Sequence, residues 1–380
     1  MENRPQKIII ISPAYPYRGG IAATTDRLAQ EYLSRGEEVE VWTYKMLYPK
    51  LIFPGKTQFV NTDIQAPPSG VTIKRKINAG NYLNWIKVRK ALKKAAADKV
   101  IIRYWIPFLA PCLGTIAHFK RPPHTKVICL ADNVIPHEKR RGDTILSRFF
   151  FRKMDGFVVM AKQGIEQLEQ IFHIKKPIIY SPHPLFDIYG TPVSKKEAAK
   201  ELGLDPDTPF ILSFGLVRKY KGVDLLIESF AHFSKNHPQH KLIIVGECYD
   251  DWSVYQQLID KHHLQDKIVR VDQFIPDEKV KYYFSIADFI ALTYRSATQS
   301  GVTQIAYSME LPMLVTAVGD LSNMVKSGTS GLVCETDIPS ITDALETLSK
   351  EENLALYRKG VKDEKKRFSW STLCDNLDRL

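Results

Sequence analysis

Short runs of β-branched and aliphatic residues recur along the chain, each followed by a longer stretch in which apolar residues return every three or four positions. That alternation is the pattern of parallel βαβ units: strands buried on both faces read as near-continuous apolar runs, and the crossover helices are amphipathic. In the first half it predicts strands over 7–11, 39–43, 71–74, 100–103, 126–130, 156–160 and 178–180, with helices over 24–34 and 81–97. Arg35-Gly36 closes the first of these helices with a C-terminal stop. The Pro-rich stretch SPHPLFDIYGTPV supports neither periodicity, and the pattern restarts after it, which places a boundary near residues 183–193. Beyond it, strands over 210–214, 241–245, 268–271, 289–292 and 313–316 alternate with helices over 223–236, 252–262, 277–285, 302–309 and 338–349. The expected architecture is α/β, with two Rossmann-like domains at 1–188 and 189–365 facing a central cleft, and a C-terminal helix at 366–380 returning towards the first.

A length of 380 residues with 44% hydrophobic and 25% charged residues suits two folded domains. Charge then separates them. Residues 1–190 hold 30 Lys and Arg against 15 Asp and Glu; the remaining 23 of the 53 basic residues face 27 of the 42 acidic ones. A basic first half suits a polyanion, an anionic membrane surface or a phosphate-bearing substrate, and a merely solvated basic surface accounts for it equally. The five cysteines are scattered and read as reduced thiols. No run reaches the ~18–20 apolar residues of a membrane span, so a cytoplasmic protein, at most peripheral at the inner face of the membrane, is expected.

Three stretches carry candidate chemistry. In FGLVRKYKGVDLLIESF (214–230) a strand ends at Phe214, Gly215 permits a tight turn, and Arg218, Lys219 and Lys221 precede Gly222 and a helix. Cationic side chains at a strand edge beside a glycine suit a diphosphate, and a water-facing turn is the alternative. In YRSATQSGVTQIAYSMELPMLVT (294–316) a hydroxyl-rich loop enters a helix at Ser300, Gly301 and Val302, whose free amides form an anion site or are capped by Ser300 itself. Gln304, one turn in, is placed to bond sugar hydroxyls. In SPAYPYRGGIAATTDRLAQEYLSRG (12–36) the Gly19-Gly20 pair offers further backbone amides; glycine pairs also serve only to turn the chain. No GxGxxG follows the first strand, which counts against a dehydrogenase.

The order of GxxRxxKGxDLLIESF, then SATQSGVxQIAY before LPMLVT and VGDL, resembles family 4 of the retaining glycosyltransferases over nearly the whole chain. NVIPHE, IRYWIPF and SPHPLFDIYG resemble a bacterial branch that builds cell-surface polysaccharides. The resemblance implies a GT-B fold and a nucleotide-diphosphate sugar as donor, with no separate cofactor. It further implies Arg218 and Lys221 on the diphosphate, Gly19 and Gly20 near donor phosphate and acceptor, and Phe274 and Ile275, after VRVD, against the nucleobase. Most relatives carry two glutamates around SGV; here Ala297, Thr298 and Gln299 stand near the first and Gln304 or Ile305 at the second. Where relatives often have a histidine after the fifth strand, Asp132 stands, with His137 five residues later as the other candidate.

The expected reaction is transfer of a sugar, with retention and without metal, to a saccharide or lipid-linked acceptor, charge on the leaving diphosphate being stabilised by Arg218, Lys221 and helix amides. The basic face of Lys87, Arg89, Lys90, Lys93 and Lys94 suits an anionic membrane. No cluster has metal-ligand spacing. The alternatives are a sugar-nucleotide epimerase or phosphorylase on the same plan, and a basic nucleic-acid binder. The second lacks any recognised nucleic-acid module, so nucleic acid is not an expected partner.

Overall fold

The computed structural model describes residues 4–48, 58–60, 66–136, 140–297 and 300–380. The chain divides into two compact units, residues 1–182 with 370–380, and residues 183–369.

In the first unit the strands are β1 (Lys7–Ile11), β2 (Glu38–Met46), β3 (Thr72–Asn78), β4 (Lys99–Tyr104), β5 (Lys126–Ala131), β6 (Gly156–Val159) and β7 (Ile178–Tyr180). The helices between them are α1 (Gly20–Ser34), α2 (Tyr82–Ala95), α3 (Ala110–Ala117), α4 (Asp143–Phe151) and α5 (Gln163–Glu166). The sheet order is β3-β2-β1-β4-β5-β6-β7, and the paired strands are parallel. β1 shows why both faces are covered: Ile9 and Ile11 enter one core with Val88, Leu113 and Phe150, whereas Ile8 and Ile10 enter the other with Leu28 and Tyr32. Strand side chains alternate faces, so an all-isoleucine strand needs helices on both. The final helix, Trp370–Asp378, completes the second of these cores through Trp370, Leu373 and Leu377.

The second unit opens on the Pro-rich segment, because Leu185, Phe186 and Tyr189 pack on its core and the Leu185 amide donates to the Phe368 carbonyl at 2.9 Å. Its strands are β8 (Phe210–Phe214), β9 (Lys241–Val245), β10 (Ile268–Val271), β11 (Phe289–Leu292), β12 (Met313–Thr316) and β13 (Gly331–Cys334). The helices are α6 (Lys195–Leu202), α7 (Val223–Phe233), α8 (Ser253–Lys261), α9 (Asp277–Ile286), α10 (Gly301–Ser308), α11 (Leu321–Met324), α12 (Ile338–Leu348) and α13 (Glu351–Glu364). The final helix, in the first unit, is α14. The order is β10-β9-β8-β11-β12-β13, again parallel. β13 has no counterpart in the sequence expectation. It is a four-residue edge strand pairing with β12, too short to show a period against its Gly- and Ser-rich flank.

In each sheet the chain reverses direction of travel once, between β1 and β4 and between β8 and β11. The loops leaving those strands therefore border the crevice where open α/β sheets take ligands. Behind the first crevice, Tyr104 stacks on Phe150 at 5.1 Å, and Phe151 meets Tyr104, Phe157 and Phe172 edge-on at 4.8–5.7 Å. Phe151 is wholly buried. Phe151→Ala is expected to lower unfolding free energy by about 3–5 kcal/mol in a denaturant titration, because it removes one ring from three edge contacts and leaves a cavity.

Candidate functional site

The β8 strand, FILSF, is driven inside by its apolar residues and ends at Gly215. Gly215 has φ 103°, and its carbonyl lies so near Gly246 that a Cβ there would stand 2.3 Å from it. This close approach lets the β8 and β9 loops run together: the Val217 amide donates to the Glu247 carbonyl at 2.9 Å and the Tyr249 amide to the Val217 carbonyl at 3.0 Å. A 3-10 turn, Lys219–Lys221, follows and delivers Gly222 (φ 61°) to the start of α7.

That turn is held from the other side of the crevice. The Thr293 hydroxyl donates to the Gly222 carbonyl at 2.9 Å and the Arg295 amide to the Tyr220 carbonyl at 2.7 Å. The Arg295 guanidinium grips both oxygens of Asp224 at 2.6 Å and reaches the Lys219 carbonyl at 3.2 Å. Three turn carbonyls are thus consumed by one segment after β11. Gly222 cannot be replaced without breaking this: a Cβ would stand 2.0 Å from the Thr293 carbonyl oxygen.

The cations in and around the turn fare differently. Arg295 is neutralised by Asp224; Arg218, Lys219 and Lys221 have no carboxylate partner among the described residues. Arg218 is exposed and stacks over Tyr249, its guanidinium carbon 4.9 Å from the ring centroid. Lys221 points inward, with Nζ 5.2 Å from the Tyr294 centroid and 2.8 Å from where a Cβ on Gly215 would lie. Glycine at 215 therefore makes room for this ammonium. Burial lowers the Lys221 pKa from its ordinary value, and the Arg218 charge lowers it further against an opposing contribution from Tyr220. A second negative partner would relieve both effects.

The start of α10 adjoins the same place. Val302 Cγ2 lies 3.6 Å from the Gly215 Cβ position, and Tyr294, below Lys221, shares a hydrogen bond with Ser300 Oγ at 3.2 Å. Burial pushes the Tyr294 phenol up to about 12, opposed by that hydrogen bond. Ser300 is the N-cap and accepts from the Val302 amide at 3.3 Å. Gly301 is exposed at the helix start, and a Cβ there would meet the Phe186 ring at 2.6 Å. Gln304 has no exposed surface: Nε2 lies 3.5 Å from Met324 Sδ, and Oε1 has no partner among the described residues. Thr298 and Gln299 lie outside the described residues. Two strands along the edge, after β10, Phe274 is 70% exposed while Ile275 is buried.

In the first unit, Gly19 (φ 106°) and Gly20 are exposed at the start of α1, with no side-chain cap. Asp132, just beyond β5, takes Arg103 Nε and Nη2 on its two oxygens at 2.7 and 2.6 Å. Arg103, 2% exposed, also donates to the Ile21 carbonyl at 3.1 Å and the Thr24 hydroxyl at 2.6 Å, both in the first turns of α1. Asp132 is thus the counter-ion of a buried arginine that ties β4 to α1. His137 lies outside the described residues. Among the described residues no group of three or more His, Cys, Asp or Glu is placed to hold a metal ion.

Residues 194–366, nearly all of the second unit, match the model of the family Glycosyl transferases group 1. The second unit is a group 1 glycosyltransferase domain. Curated relatives include a D-inositol 3-phosphate glycosyltransferase of Corynebacterium aurimucosum, 25% identical over 53% of this chain and 50% of its own length. A lipopolysaccharide core biosynthesis mannosyltransferase of Rhizobium meliloti is 27% identical over 56% of this chain and 60% of its own. The chain thus spans only 50–60% of the length of these two relatives. An alpha-monoglucosyldiacylglycerol synthase of Acholeplasma laidlawii is 24% identical over 86% of this chain and 84% of its own. Among solved structures, Anabaena HepE in complex with UDP and glucose aligns over 99% of this chain and 100% of its own, with TM-score 0.68 and 14% identity. The fold of the chain is GT-B, two parallel-sheet Rossmann-like units; the hydrophobic pattern predicts the two units, and the family resemblance implies GT-B.

Several residues that shape the group 1 domain and its companion unit escaped sequence reading. Arg295 and Thr293 carry no motif of their own; Tyr294 reads as the end of a strand. Arg103 did leave a signal, a charge inside the apolar run KVIIRY, which requires a buried carboxylate somewhere. Asp26, in α1, is another. Its carboxylate accepts from the Tyr15 amide at 3.2 and 3.4 Å, and burial outweighs that hydrogen bond to hold its pKa up at about 7. The folded state therefore keeps this proton to higher pH than the unfolded chain does, so its contribution to stability falls as pH rises from about 4 through 7. Asp26→Asn, which keeps an acceptor for Tyr15, should gain in melting temperature relative to the wild type between pH 5 and pH 8; equal shifts at both pH values would contradict the buried-carboxyl assignment.

Proposed function

We propose that the protein transfers a hexosyl group from a nucleotide-diphosphate sugar to a saccharide or lipid-linked acceptor, with retention and without a metal ion. One observation carries the reading: Arg218 and Lys221, two cations lacking carboxylate partners among the described residues, border the crevice at the second unit's switch point beside the start of α10. Charged groups held near one another at partial burial are costly unless an anion completes them, and a diphosphate supplies the charge and the reach. The relatives support the same chemistry, since HepE was solved with UDP and glucose and the curated relatives are named as glycosyltransferases.

As the bond from the anomeric carbon to the phosphate oxygen breaks, the diphosphate leaves with its electron pair and gains negative charge. Arg218, Lys221 and the exposed amide end of α10 meet that charge with preorganised positive groups, so they bind the transition state more strongly than the donor. The acceptor hydroxyl forms the new bond on the same face, and its proton passes to the departing phosphate oxygen. Retention rests on the resemblance to the retaining family. Phe274 and Tyr249, exposed beside the β8 loop's edge of the sheet, offer flat surfaces to a nucleobase. Gly19 and Gly20 present the first unit's backbone to acceptor or phosphate. The basic first half suits an acceptor at the inner face of the cell membrane, with the protein cytoplasmic and peripheral there. No helix among the described residues is long and apolar enough to cross a membrane.

A thermal-shift screen against UDP, GDP and ADP and their sugars should give one nucleotide that raises the melting temperature. With that donor, Arg218→Ala and Lys221→Ala should each lower kcat/KM by ~10²-fold or more, the magnitude of losing one preorganised charge partner at a reacting oxygen. Arg218→Ala should leave the melting temperature of the free protein nearly unchanged, since its side chain is exposed. Full activity of both variants would reduce the loop to a solvated turn.

A further inference from the structure

Tyr294, the middle residue of the segment that holds the turn after β8, touches both halves of the candidate diphosphate site. Its ring centroid lies 5.2 Å from Lys221 Nζ, within cation–π range, and its hydroxyl is 3.2 Å from Ser300 Oγ at the start of α10. The backbone around it is fixed on every side. The Thr293 hydroxyl and the Arg295 amide bond the turn, and the Thr316 hydroxyl donates to the Tyr294 carbonyl at 2.6 Å. Tyr220 meets the ring edge-on at 6.1 Å, and Tyr294, 4% exposed, belongs to the second unit's core.

Two hydroxyls sharing one hydrogen bond cannot both donate to it, so its direction is set by what else each oxygen touches. The Tyr294 phenol has Ser300 Oγ as its one partner among the described residues. A buried O–H without an acceptor bears the full cost of desolvation, so the phenol donates and the serine accepts. Ser300 Oγ also accepts from the Val302 amide at 3.3 Å. A hydroxyl has two acceptor sites and one proton, so with both sites filled Ser300 has only its proton to offer. Ser300 is partly exposed, and that proton has no acceptor among the described residues. The residue that caps α10 is therefore also a hydroxyl constrained to donate. Its surroundings indicate to what: Lys221 Nζ and Val302 Cγ2 lie 2.8 and 3.6 Å from the same point, the Cβ position of Gly215. An ammonium, an outward hydroxyl proton and an exposed helix start suit a phosphoryl oxygen.

We propose that Tyr294 is a positioning residue for the donor diphosphate: its ring seats the Lys221 ammonium, and its hydroxyl, by filling Ser300 Oγ, turns the serine proton towards the same phosphoryl group. Ser300 then binds the ligand beside Lys221, and Tyr294 acts through both. A phenylalanine would fill the same core space; what the phenol adds is the direction of one hydrogen bond. The proposal deepens the nucleotide-diphosphate reading above and rests on it.

The test is calorimetric titration of the full chain with UDP, GDP and ADP and with the corresponding nucleoside monophosphates. Wild type should bind one of the diphosphates. For that nucleotide Ser300→Ala should raise Kd ~10-fold or more, the scale of a hydrogen bond to a charged group, and Tyr294→Phe, which leaves serine free to turn away, ~3-fold or more. The Kd of the monophosphate, which lacks the second phosphate, should stay nearly unmoved in both, a selectivity that a general loosening of the fold does not produce. In the Ser300→Ala background Tyr294→Phe should cost nothing further, because the phenol acts through the serine. Tyr294→Leu, which also removes the ring beneath Lys221, should weaken the diphosphate more than Tyr294→Phe does. Additive losses in the double variant, or equal losses for mono- and diphosphate, overturn the proposal and leave the transferase reading standing. Absence of binding of any of these nucleotides to wild type overturns both.

Discussion

The second unit's crevice depends on the segment Thr293–Arg295 holding the turn after β8. Backbone carbonyls at a strand edge are acceptors that water would otherwise satisfy, and a turn of glycine and lysine has little side-chain packing to order it. By giving the carbonyls of Lys219, Tyr220 and Gly222 donors from across the switch point, residues 293–295 convert a polar loop into a shaped surface. The same segment decides the electrostatics. Asp224 pairs with Arg295, leaving Arg218 and Lys221 with aromatic rings for company and no carboxylate among the described residues. Of the four basic residues around this turn, three in the loop and Arg295 across from it, only Arg295 is paired with a carboxylate among the described residues.

The first unit repeats the topology and resolves its charge in the opposite way. Its carboxyl edge also carries an arginine close to a glycine-led helix, but Arg103 is buried and takes Asp132 bidentately together with the start of α1. Burying a guanidinium costs more than its surroundings return unless a carboxylate and several acceptors complete it, and Arg103 has both. The pair therefore braces the Gly19-Gly20 loop from behind and offers no net charge to an anion. On one plan, two parallel sheets, the second unit leaves Arg218 and Lys221 without a carboxylate among the described residues, and the first pairs Arg103 with Asp132. That difference follows from single residues, as expected where function is grafted onto a shared fold.

The charge imbalance of the chain has a structural counterpart in α2 and α4. Ten of the first half's 30 Lys and Arg lie on α2 and over residues 140–153, in stretches that hold only one acidic residue, Asp143.

The sequence by itself determined both sheets, most of their strands and the places where the glycine-bearing loops leave them. Alternation of β-branched runs with amphipathic stretches is a local property, since strands buried on both faces must be apolar throughout. Gly215, Gly222 and the helix start at Ser300 were legible for the same reason: each is a backbone requirement written in one residue. Edge strand β13 and short α3 were not, because four residues show no period and APCLGTIA carries a glycine mid-helix, which in the fold lies against the Phe149 ring. Which charges remain available was decided by tertiary structure alone. Arg295 and Arg218 look alike in sequence, as do Asp132 and Asp224 set against any other acid; pairing depends on residues 71 and 29 positions apart meeting across a sheet edge. Likewise Gln304, placed by sequence one turn into a candidate site, has its side chain enclosed against Met324, because the rotation of α10 about its axis is set by what packs beneath it.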